Sequence, residues 1–256
     1  MLAATPIRPS SVLRLPFSPR ARAQIGLFLL AYLVYSAARF VTIGDLGSAK
    51  DNAHWIVNLQ NSLHIGVESS VQGALDTSWL VWIFNHLYLI AQLGVIPAAL
   101  IFLWFRNQRI YKTLRNTILA TWLLSVPVYG LFPVAPPRLA DIGIVDTISA
   151  HTMDMQSSVT TSFYNELAAV PSLHVGFAMA VSLALFAALR NPVLRYASLL
   201  WGPVIALVVV ATGNHFVFDA IAGIVASVVG YGLGVMAARI RIKRPVSSLG
   251  PAFAEA

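Results

Sequence analysis

The sequence predicts an all-α polytopic membrane protein, a bundle of six transmembrane helices, on three observations: its composition, its six long apolar runs, and the charge between them. Hydrophobic residues fill 57% of the 256 positions and charged residues only 11%, against roughly 25% charged in soluble domains. The net charge of +7 sits in short clusters flanking apolar runs rather than on one polar face. That pattern reads as membrane topology and argues against nucleic acid as a partner. Cysteine is absent, which excludes disulfides, thiolate metal sites and a cysteine nucleophile.

Residues 1–22 form a basic tail with Arg8, Arg14, Arg20 and Arg22. The apolar run that follows is too long for a cleaved signal peptide and is expected to stay as the first span. A crossing helix needs about 20 mostly apolar residues, because a lone backbone polar group is not tolerated in hydrocarbon. The candidates are 23–43, 79–105, 118–134, 173–189, 193–212 and 216–238. The third carries Pro127 and Pro133, which neighbouring helices must accommodate.

Cationic clusters alternate with these spans. The amino tail, the connection with Arg106, Arg109, Lys112 and Arg115, the connection with Arg190 and Arg195, and the tail with Arg239, Arg241, Lys243 and Arg244 are expected on the cytoplasmic side. The remaining connections hold only Lys50 and Arg138 as cations but eight acids, from Asp45 to Glu166, and are expected to face outward. Both termini are then cytoplasmic and the span count is even. Residues 23–244 form one six-helix domain, and 245–256 a disordered tail. The first outer connection, 48–77, alternates apolar and polar residues at helical spacing and predicts interfacial helices. The second, 136–171, is rich in Pro, Gly, Ser and Thr and predicts an irregular rim.

This topology brings three short segments to one depth: Pro136-Pro137-Arg138-Leu139, Pro171-Ser172-Leu173-His174, and Gly213-Asn214-His215-Phe216-Val217-Phe218-Asp219. His215 and Asp219, four apart, share a helix face, so the carboxylate can hold one ring nitrogen and leave the other as a nucleophile or base. An ionisable pair at membrane depth is costly and marks a functional site. Pro171 and Ser172 suit a helix start whose free amides, around Ser172 and Leu173, attract an anion such as phosphate. His174 beside them can give a proton to a leaving oxygen. Arg138, stiffened by two prolines, has the planar fork that grips phosphate oxygens in pairs.

The second and third of these segments resemble two signature motifs of the type 2 phosphatidic acid phosphatase (PAP2) superfamily, and Pro137-Arg138 resembles the remnant of its first. The resemblance covers roughly the second half of the chain. It implies a PAP2/haloperoxidase-like helical core. It also implies His215 as a nucleophile forming a phosphohistidine, Asp219 as its orienter, His174 as general acid and Arg138 as phosphate clamp, with no metal and no other cofactor. Two cations of the family pattern are missing: Leu131 stands where the first motif has Lys, and Val209 where the third has Arg. The reduced pattern is most similar to the inositolphosphotransferase branch, akin to inositol phosphorylceramide synthases. The expectation is therefore a lipid phosphatase or phospho-headgroup transferase acting on a lipid phosphate or phospholipid at the outer face of the cell membrane.

Secondary candidates are His86, Asn214 and Arg39, with Arg39 or Lys50 as a replacement for the lost charge. The rival reading is a non-catalytic transporter or assembly partner with a His/Asp proton relay, although no repeated halves are visible. The sequence leaves the oligomeric state open.

Overall fold

The computed structural model describes residues 18–41, 45–153, 157 and 165–239, without the side chains of 38–41 and 237–239. The predicted tail at 245–256 and most of that at 1–22 lie outside the described residues. Helix α1 is Pro19–Val41. Helix α2 (Leu46–Ser62) starts where the Asp45 carboxylate accepts the Ser48 amide, and α3 (Glu68–Ala74) follows. Helices α4 (Ser78–Ile90) and α5 (Ile96–Arg106) are joined by a π-helical turn, Ala91–Val95. Next come α6 (Gln108–Leu131), the short α7 (Thr147–His151) and α8 (Leu173–Ala188). Helix α9 (Pro192–Ala197) runs through a 3₁₀ turn into α10 (Trp201–Ala211), and α11 is Val217–Arg239. Among the described residues there is no strand, only a lone bridge between Val134 and Ala168.

A helix covers each of the six apolar runs. Three stretches are long and apolar enough to cross a membrane by length and composition: Ser78–Arg106, Pro192–Ala211 and Val217–Met236; Leu173–Ala188 is apolar but shorter. One predicted boundary is corrected. Helix α6 begins ten residues before the predicted 118, because Asn107 caps it by accepting the Arg109 and Ile110 amides. Arg109, Lys112 and Arg115, read as a loop from their charge, are the first turns of a helix: hydropathy registers the charges, whereas backbone hydrogen bonding tolerates them.

Small residues set the core. Along α6, Thr117, Thr121 and Ser125 donate their hydroxyls to the carbonyls four residues earlier. Their polar atoms are thereby satisfied, and α11 lies against this stripe: a Cβ on Gly230 would collide with Thr121. Close approach through small residues is the usual way for helices to associate where no hydrophobic difference drives them together. The same device joins α11 to α8. A Cβ on Gly176 would stand 2.7 Å from the Gly223 carbonyl oxygen, and one on Gly223 would overlap the Ser172 carbonyl. Helices α2 and α3 lie over one end of the bundle, where Ala49, Ala53 and Ile56 join Val134, Ala135 and Phe216 in a common core.

Gly223→Ala is therefore expected to destabilise the protein by about 1–3 kcal/mol, the usual cost of overpacking, and to splay α8 from α11. Gly232→Ala, with open space around the added methyl, is expected to be neutral or slightly stabilising through helix propensity. Thermal unfolding of both variants in detergent gives the comparison.

Candidate active site

The three segments read from the sequence do meet. After α10, Gly213 turns the chain with φ +72°, and a Cβ there would sit 2.6 Å from the Val145 carbonyl oxygen. The amides of Asn214 and His215 both reach back to the Val209 carbonyl, each at 3.1 Å. The opening amides of α11 are then capped by side chains from three elements. Asp219 Oδ2 accepts from Phe216 N at 2.8 Å, Glu68 Oε1 from Val217 N at 2.9 Å, and Gln60 Oε1 from Phe218 N at 2.7 Å. Gln60 Nε2 donates to Glu68 at 2.8 Å, which closes the network.

Asp219 is fully buried, and its Oδ2 lies 3.3 Å from His215 Nδ1. This contact fixes the orientation of the ring. The Ser172 amide donates to the Asp219 carbonyl at 3.0 Å, so the start of α8 is pinned to the first turn of α11. His174, one residue into α8, stacks on Tyr88 with ring centroids 4.1 Å apart, and its ring lies 6.1 Å from that of His215. Arg138 sits in a 3₁₀ turn, Pro137–Leu139. Its amide donates to the Gly213 carbonyl at 3.0 Å, its Nε to Asn214 Oδ1 at 3.0 Å, and its Nη1 pairs with Asp146 Oδ2 at 3.3 Å. Asp146 in turn caps α7 through Ser149. The guanidinium is thus aimed from two sides, and the side chain as a whole is 2% exposed.

Arg138, His174, His215, Asn214, Tyr88 and Gln92 border one cavity of about 100 Å³. That volume suits a phosphate-sized group; pockets enclosing a whole small molecule begin near roughly 300 Å³. Burial pushes the His215 imidazole down to about 3; the nearby Arg138 charge adds to this and the Ala169 carbonyl opposes it. At neutral pH the ring is therefore uncharged.

Several sequence expectations are corrected. The Ser172 amide is already committed to Asp219, and Ser172 Oγ accepts the Val175 amide at 3.4 Å, so Ser172 pins two helices together; Leu173 is the residue of the pair that borders the cavity. His86 is not in the site: it packs on Trp82 and its Nδ1 bonds the Trp82 carbonyl at 2.7 Å, because helix rotation aims Tyr88 inward instead. Lys50 replaces no lost charge, since it pairs with Asp141 at 2.6 Å. The Arg39 side chain lies outside the described residues. Leu131 is 87% exposed at the end of α6 and Val209 is packed in the core, so neither position borders the cavity.

The structure adds Tyr88, Gln92, Tyr35 and Tyr129 to the cavity wall. The first two carried a readable signal: Asn85, Tyr88 and Gln92 form a polar stripe at i, i+3 and i+7 in an apolar span. Asn85 uses it to hold the rim, donating to the Thr147 carbonyl at 2.7 Å. Gln92 stands on the π-helical turn, and its Oε1 is buried without a hydrogen-bond partner; such turns concentrate at functional sites.

The sequence profile of the PAP2 superfamily matches residues 54–233, which contain Arg138, His174, His215 and Asp219 but not Tyr35. Among solved structures, the crystal structure of LpxE from Aquifex aeolicus is similar, with a TM-score of 0.51 at 17% identity, covering 66% of this chain and 93% of that one. At that identity the likeness speaks for the fold. No curated protein matches the chain.

The depressed His215 value has a consequence for folding. Because protonation is resisted in the folded state, the neutral ring contributes stability that is complete above its ordinary pKa near 6.5 and is lost as pH falls toward about 3. Between pH 7 and pH 4.5 the wild type is expected to lose on the order of 2 kcal/mol more than His215→Gln, measured by thermal unfolding of both proteins at the two pH values.

Proposed function

The chain belongs to the PAP2 superfamily, and from that premise we propose that it is a membrane lipid phosphatase or phospho-headgroup transferase working through a phosphohistidine. The observation that carries the proposal is the meeting of His215, held by Asp219, with His174 and Arg138 around one phosphate-sized cavity. A lipid phosphate ester places its phosphorus between the two rings. His215 Nε2 attacks, the P–O bond to the leaving group breaks, and a proton from His174 goes to the departing oxygen. Arg138 meets the charge that gathers on the remaining phosphoryl oxygens. In the second half, water or a lipid hydroxyl attacks the phosphohistidine, His174 takes up the acceptor's proton, and His215 is released neutral.

Metal need not enter these steps, because Arg138 and His174 supply the positive charge and the proton. The choice between water and an alcohol depends on how well the rim excludes water. Leu131 and Val209, in place of two phosphate-binding cations, support assignment to the inositolphosphotransferase-like branch, where a phospho-headgroup passes between lipids. The proposed topology has six spans within 23–244, both termini in the cytoplasm and the site facing outward. The alternation of Arg and Lys clusters with acidic connections supports it.

The test is incubation of the purified protein with labelled phosphatidic acid and with phosphatidylinositol plus a lipid alcohol, following phosphate release and headgroup exchange. His215→Ala is expected to lower either activity at least 10³-fold, comparable to loss of an activated nucleophile, and label trapped by acid-free quenching is expected on His215. His174→Ala is expected to spare substrates whose leaving group needs no proton. Activity should persist in EDTA; a strict requirement for magnesium, or wild-type rates in Asp219→Ala, would sink the mechanism.

A further inference from the structure

The phosphate cavity leaves no room for hydrocarbon. A second cavity, about 250 Å³ and almost wholly apolar, runs between α1 and α6, with Leu27, Leu30 and Val34 on one wall and Leu119, Trp122 and Leu123 on the other. Tyr35 borders both cavities. Its ring packs on Trp122 with centroids 5.5 Å apart, and its hydroxyl accepts the Asn165 amide of the rim at 3.4 Å. On α6 the same connection is made by Trp122, Val126 and Tyr129, spaced at i, i+4 and i+7 along one face. The first two border the apolar groove, and Tyr129 borders the phosphate cavity.

The groove is open along its length to the outside of the bundle, where Leu30 is 59% and Leu123 67% exposed. From Leu27 to Tyr35 it extends about 12 Å along the helix, at 1.5 Å per residue. Helix α1 lies outside the residues that match the superfamily profile, so one wall of the groove is formed by residues beyond that match.

We infer that the α1–α6 groove binds a hydrocarbon chain of the lipid whose phosphate occupies the cavity at Arg138 and His215, with Tyr35 at the junction. The inference rests on the proposed lipid-phosphate chemistry. Its occupant follows from adjacency: a groove that is apolar, laterally open and meets a phosphate-sized polar cavity at a shared wall residue, Tyr35, has the polarity pattern of a lipid phosphate. The larger groove between α6, α8 and α11, about 500 Å³ and bordered by Arg109, Leu183 and Tyr231, shares no residue with the phosphate cavity and serves as a control.

Ala31→Phe and Val34→Trp narrow the groove from α1. On the full-length protein in mixed micelles, both are expected to lower kcat/KM for dioleoyl phosphatidic acid at least tenfold. Turnover of p-nitrophenyl phosphate, which has no chain, should stay within twofold, and Leu183→Phe should change neither. Equal losses on the two substrates, or no loss on either, overturn the inference. A second measurement is independent of turnover and of the variants' folding. Phosphatidic acid carrying a diazirine on one acyl chain should label the wild type within 27–35 and 119–126, displaced by dioleoyl phosphatidic acid and not by dioleoyl phosphatidylcholine. Labelling elsewhere, or equal displacement by both lipids as expected of a bulk membrane lipid, overturns it. Specific labelling without turnover of any phosphate ester would instead remove the proposed reaction and leave the groove as a lipid site.

Discussion

The site depends on one close crossing. Helix α8 meets α11 where Gly176 faces the Gly223 backbone and Gly223 faces the Ser172 carbonyl, at separations that exclude even a methyl group. Within that crossing the Ser172 amide donates to the Asp219 carbonyl. Each contact supports the other: the missing Cβ atoms permit the approach, and the hydrogen bond fixes its register. Because His174 is two residues beyond Ser172 and His215 four before Asp219, locking these backbones sets the distance between the two imidazoles. In an apolar setting the bond is stronger than in water, and leaving either group unpaired would be expensive.

Around that crossing the protein satisfies polar groups through long-range partners. The amides opening α11 would be orphans if the helix began in hydrocarbon. Gln60 and Glu68, from the connection between α1 and α4, take two of them, while Asp219 takes the third and orients His215 with the same oxygen. Arg138 is held in the same fashion, between Asn214 on one side and Asp146 on the other. The polar groups at the cavity are thus few and their supports many, which is the arrangement the proposed reaction requires, since donors already aimed need no reorganisation.

Much of this was legible in the amino-acid order because it is local. The i, i+4 spacing of His215 and Asp219, the prolines before Arg138, the Pro171-Ser172 helix start and the positions of the apolar runs follow from helix geometry and composition, which act within a few residues. Composition alone also excluded a thiolate or disulfide chemistry. The resemblance of the motifs led to the superfamily that the profile match then established.

What only the tertiary structure decided depends on helix rotation and on partners far apart in the chain. His86 and Tyr88 are two residues apart in one apolar span, yet only the rotation of α4 sends Tyr88 to the cavity and leaves His86 off its lining, beside the exposed Trp82 of its own helix. Lys50 looked like a spare cation until its partner, Asp141, was found ninety-one residues away. The Ser172 amide looked open to an anion until α11 arrived to claim it. Sequence spacing reports which residues share a face. The direction that face points, and which polar groups are spent before a ligand arrives, is set by packing between segments that the linear order does not bring together.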